Sequence, residues 1–72
     1  MIHLSPQQYA CVALVARGMT ASEIASELGL AQNTVKAHLQ HARDKTGARN
    51  RIELALMFVR GAVQPPALRE AA

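Results

Sequence analysis

Aromatic residues are nearly absent from this sequence: one Tyr, one Phe and no Trp among 72 residues. A core without large rings must be filled by Ala, Val, Leu and Ile, which suits close-packed helices. Cys11 is the only cysteine, which excludes an internal disulfide and a cysteine-based metal cluster. Within its apolar run it reads as a small core residue. No apolar run reaches the roughly 18 residues of a membrane-spanning helix. The N-terminus also lacks a basic leader followed by a hydrophobic block, so a cytoplasmic protein is expected.

Acidic residues are few, five against eight Lys and Arg, for a formal charge of +3. That balance favours an anionic partner, though where the charge sits matters more than its size. Catalysis finds no support. No serine has a His and an Asp arranged around it, no glycine-rich loop could cradle phosphate, and the carboxylates are scattered over helix caps and faces. His38 and His41 stand three apart without a spaced third ligand, so neither a metal nor any other cofactor is expected.

What the chain does have is helix punctuation. Residues 1–64 are expected to form one small all-α domain of four helices, with 65–72, opening on Pro65 and Pro66, as a disordered tail. Ser5, Pro6 and Gln8 make an N-cap, a first-turn proline and a capping box for a helix running to about Arg17 and ending at Gly18. Thr20 and Glu23 repeat the capping-box spacing, and Gly29 ends the short helix that follows. The next helix is expected from about Gln32 to Lys45. At about 100° per residue, Val35, Leu39, Ala42 and Thr46 gather on one side, with His38 at the margin. Asn33, Lys36, Ala37, Gln40 and Asp44 gather on the other.

Two helices joined by a tight turn, the second divided in this way, are the sequence form of a helix-turn-helix. Lys36 can donate to guanine or phosphate, Gln40 can pair with adenine, and Ala37 can meet a thymine methyl. Asp44, which phosphate would repel, is expected near the helix end where the groove curves away. His41 is expected near phosphate.

Gly47 closes this helix, and Asn50 with Glu53 forms a third capping box for a last helix expected to reach about Val63. That helix is apolar on two sides. Ile52, Ala55, Leu56, Val59 and Val63 form the stripe expected to dock on the domain. Leu54, Met57, Phe58 and Gly61 form a second stripe, expected to be a homodimer seam in which Gly61 permits close approach. The alternative is that Phe58 folds back under the Pro65–Pro66 segment.

The run from Leu4 to Val63 resembles the LuxR/GerE-type DNA-binding domain of bacterial transcription regulators. The most specific matches are Glu23-Ile24-Ala25, Leu28-Gly29, Thr34-Val35-Lys36, His38-Leu39, Lys45, Gly47 and Arg51. The resemblance implies a third helix that reads DNA and a fourth that dimerises. It implies base-facing roles for Lys36, Ala37 and Gln40. Thr20, Ser22, Asn33, Thr34 and Lys45 match positions that hold phosphates, and Arg49 and Asn50 lie where the last connection nears the backbone. It also implies a pairing role for Leu54, Met57 and Phe58. Three residues depart from the family pattern: Gln8 replaces an acidic residue, Ala31 a capping Ser or Thr, and Thr46 a Leu.

Family members usually carry an upstream receiver or ligand-binding domain. Met1 directly before the module, with the two-faced last helix, leans toward a stand-alone regulator. The function expected is sequence-specific binding of double-stranded DNA as a homodimer. Two alternatives stand beside it. One is a module like the promoter-reading end of a sigma factor, working with RNA polymerase. The other is an interaction module that pairs with a larger regulator and modulates it.

Overall fold

The computed structural model describes residues 2–65; the expected tail lies, from residue 66 on, outside the described residues. Four helices follow in order: α1 (Pro6–Ala16), α2 (Ala21–Leu28), α3 (Gln32–Thr46) and α4 (Arg51–Val59). The capping boxes of α1 and α2 both form. Ser5 Oγ accepts from Gln8 N–H at 3.2 Å while Gln8 Oε1 accepts from Ser5 N–H at 3.1 Å. Thr20 and Glu23 exchange the same pair of bonds at 3.2 and 2.8 Å. Two backbone donors that the helix would leave orphaned are thereby satisfied at each N-terminus.

The cap of α4 is different. Asn50 accepts from Glu53 N–H at 2.8 Å, but Glu53 reaches past Asn50 to the backbone N–H of Arg49 at 2.6 Å. The reciprocal half of the expected box is therefore made one residue upstream. At α3 the expected weakness is present: Ala31 is the N-cap, and no side chain bonds to the helix start.

Helix α4 ends at Val59, about one turn short of the expected Val63. The reason is Gly61, whose φ of +77° takes the chain into left-handed conformation. Gly61 N–H bonds to Phe58 C=O and Ala62 N–H to Met57 C=O, the two closing bonds of a Schellman motif. Past this stop, Val63–Gln64 (β2) pairs in parallel with Ile2–His3 (β1), Ile2 opposite Val63 and His3 opposite Gln64. This two-residue pair is an addition to the expected all-helical plan.

Helix α1 lies against both α3 and α4, and α2 closes onto α3. Leu4, Cys11, Val12, Ile24, Val35 and Leu54 are the largest side chains fully removed from water. Burial pushes the Cys11 thiol pKa up, as desolvation of a thiolate requires. Val35, Leu39 and Ala42 are buried as the expected inner stripe of α3. Thr46, at the end of that stripe, uses its hydroxyl to donate to Ala42 C=O at 2.9 Å and accept from Ala48 N–H at 3.2 Å.

Of the stripe expected to dock, Val63 is buried and Ala55 half-buried against the core, but Ile52, Leu56 and Val59 face outward while the other stripe turns inward. Leu54 is fully buried, and Phe58 packs inward, its ring 5.3 Å from that of Tyr9. Met57 is half-buried against the same core. Leu54 is thus unavailable to a seam, and Met57 and Phe58 are half-covered by the chain's own core. Instead Ile52 and Val59 are 70% exposed and Leu56 49%. Gly61, also assigned to the seam, is a helix stop. The reversal has a simple cause: with both sides of α4 apolar, the choice falls to whichever fits the hollow left by α1, and Leu54 with Phe58 fills it.

Candidate nucleic-acid interface

The turn between α2 and α3 is set by Gly29, at φ +68°, and by Leu30 N–H bonding back to Ala25 C=O at 2.9 Å. Leu30 and Ala31 complete the turn before α3 begins at Gln32. The buried stripe of α3 then fixes which of its residues face outward. Asn33, Thr34, Lys36, Ala37, Gln40, His41, Asp44 and Lys45 are all exposed. Lys36, Ala37 and Gln40, expected to face bases, and Asn33, placed on the same polar side and also matched to a phosphate position, thus share one solvent-facing strip on a helix anchored from behind.

Of this strip, Gln40 is already engaged, and so is Asp44 beside it. Gln40 Nε2 donates to Asp44 Oδ1 at 3.0 Å, and Arg43 Nη2 donates to Gln40 Oε1. Asp44 lies in the last turn of α3 on the outer face, as expected, and accepts there from Gln40.

Behind this strip lies a hollow of about 320 Å³ bordered by Ala21, Lys36, Leu39, Gln40, Arg43 and Arg51. Three cations meet at its edge, brought from α3 and from the first residue of α4. Arg51 also donates to Met19 C=O at 2.6 Å, tying the start of α4 to the connection before α2. Neither Arg43 nor Arg51 was among the expected contact residues. Arg43 was legible: seven positions after Lys36, it falls almost in line with it at about 100° per residue. Arg51 becomes a neighbour only through the packing of α4.

The remaining expected phosphate positions divide. Ser22, Thr34, His41 and Lys45 are exposed, without a side-chain hydrogen bond among those of the described residues. Thr20 accepts from Glu23 N–H as an N-cap. Asn50 caps α4, and Arg49 lies 3.3 Å from the Glu53 carboxylate. Glu53 is held below the usual carboxylate range, first by the Arg49 backbone N–H and then by its guanidinium.

The profile described as "Bacterial regulatory proteins, luxR family" matches residues 3–58. The chain belongs to that family. Among curated relatives of this LuxR-family domain, the two-component response regulator PprB of Pseudomonas aeruginosa is 41% identical over 61 residues, covering 85% of this chain and 22% of that protein. Nodulation protein W of Bradyrhizobium diazoefficiens is 43% identical, over 75% of this chain and 24% of its own length. The probable HTH-type transcriptional regulator GfsR of Streptomyces halstedii is 38% identical, over 78% and 23%. The chain thus spans less than a quarter of the length of these relatives. Membership supports DNA-binding transcription regulation as the class of activity, and among the described residues no helix is long and apolar enough to cross a membrane.

Proposed function

We propose that this LuxR-family chain binds duplex DNA sequence-specifically as a transcription regulator, in the form of a homodimer. Two α3 helices enter major grooves about one helical turn apart, roughly 34–36 Å, on a pseudo-palindromic site. The observation that carries this reading is the division of α3. Val35, Leu39 and Ala42 are buried while Asn33, Lys36, Ala37 and Gln40 are exposed on the opposite side, next to Arg43 and Arg51. A groove-reading helix needs that anchoring and that outward strip together.

The pairing surface supported by the packing of α4 is its outer face. Ile52, Leu56 and Val59 border a shallow hollow of about 340 Å³ against Val15 and Ala16 of α1. Large apolar groups on one small helix face are what a partner helix would cover. Pairing with a larger relative would use the same face, and mass determination separates the two cases.

The test is binding of paired variants to a duplex selected by the wild-type chain. Lys36→Ala should cost about 1–3 kcal/mol and relax preference at one base pair. Lys45→Ala should weaken all sequences alike and lower the salt slope by about 1. Unchanged affinity and preference in Lys36→Ala would contradict the reading.

A further inference from the structure

Gln40 stands on a boundary. Taking about 100° per residue, Lys36 and Arg43 lie on one flank of it, Ala37 and Asp44 on the other. Its amide spans that boundary with Oε1 accepting from Arg43 and Nε2 donating to Asp44 at 3.0 Å. A glutamine amide has two nearly isosteric orientations that exchange carbonyl and NH2. Here one of them is favoured from both sides. Rotating the amide by half a turn would set its NH2 against the Arg43 guanidinium and its carbonyl against the Asp44 carboxylate, two like-with-like encounters. Bonds to ionised partners are the stronger kind, so the preference is larger than two neutral neighbours would impose.

We infer that Arg43 and Asp44 are positioning residues that lock the Gln40 amide, so that it offers donor and acceptor to a base pair in one fixed order. The inference rests on the reading of Gln40 as base-facing. Each amide end keeps one bonding site free: the second N–H of Nε2 and the second lone pair of Oε1. Adenine presents the N7 acceptor beside the N6 donor in the major groove, and replacing A·T by T·A reverses their order across the groove. An amide free to turn can follow that reversal. A locked one could engage T·A only by shifting onto thymine O4, beside the C5-methyl, so it distinguishes the strand on which the adenine lies. The role of Asp44 is then compatible with its charge: it costs general attraction to DNA and contributes strand sense at one base pair.

The test uses the full chain on a duplex library with a randomised core, comparing wild type with Asp44→Ala (alone and with Arg43→Ala), Asp44→Asn and Gln40→Ala. Asp44→Ala should bind DNA more tightly overall, having lost a negative charge. Its preference between A·T and T·A at one position per half-site should fall from about tenfold, and reach parity when Arg43→Ala is added, because Arg43 alone still favours the same orientation. Asp44→Asn loses the same charge but keeps an acceptor for Nε2, and should retain the preference. If Asp44→Ala keeps it, or Asp44→Asn loses it equally, the lock is overturned while Gln40 stays a base contact. If Gln40→Ala alters no position, the base-facing reading itself falls, and the lock with it. A readout without DNA follows the Gln40 side-chain NH2 resonances. They should move in Asp44→Ala and stay near their wild-type positions in Asp44→Asn; resonances unmoved by Asp44→Ala overturn the lock directly.

Discussion

The rings of Tyr9 and Phe58 meet at a centroid distance of 5.3 Å and a tilt of 53°, joining α1 to α4. They are the only two aromatic side chains in the sequence. With Leu54 fully buried one turn earlier on the same helix, this pair decides how α4 is rotated. Everything on the far side of α4 is left to solvent or to a partner.

The first prediction follows from that rotation. Phe58→Ala should destabilise the fold by about 2–3 kcal/mol, through lost packing and the lost ring pair. Val59→Asp, on the exposed side, should convert a dimer into a monomer and abolish the concentration dependence of the denaturation midpoint. Urea titration with mass determination checks both. A dimer that survives Val59→Asp would contradict the placement of the pairing face.

A second prediction concerns the uncapped start of α3. Ala31 occupies an N-cap with extended backbone but offers no acceptor. Ala31→Ser should stabilise the domain by about 1 kcal/mol, read as a higher urea midpoint with an unchanged slope. A destabilised variant would mean that the turn cannot accept a side-chain cap.

The third prediction is a pH dependence. Glu53 has its folded pKa lowered, chiefly by the Arg49 backbone N–H and then by the Arg49 guanidinium. A depressed carboxylate contributes stability that is present above its unfolded pKa and is lost as pH falls through the folded value. Nuclear magnetic resonance titration should place the Glu53 carboxyl below the ordinary glutamate range. Glu53→Gln should flatten the acid limb of the stability profile, and an unaltered limb would contradict this linkage.

How far the residues could be read in advance varied with the kind of physics involved. Caps and stops are local, so Ser5 with Gln8, Thr20 with Glu23, and Gly29 could be assigned from spacing alone. The inner stripe of α3 was legible for the same reason: Val35, Leu39 and Ala42 contrast with a polar remainder. On α4 there was no such contrast, and periodicity could not choose between Leu54–Phe58 and Ile52–Val59. Gly61 could serve close approach or a helix stop, and only its φ of +77° decides. The parallel pairing of Ile2 with Val63 joins the two ends of the described chain and leaves no local mark. In the candidate site, Lys36 and Gln40 followed from the helix pattern, whereas Arg51 arrived through tertiary packing.

The central claim is that this domain alone reads DNA through α3. The most direct measurement is selection of a random duplex library by the purified chain at two salt concentrations, with the mass of the bound species determined. The account predicts enrichment of a pseudo-palindrome, bound by a dimer and weakened by added salt. Binding without enrichment, or no binding at either salt concentration, would contradict it.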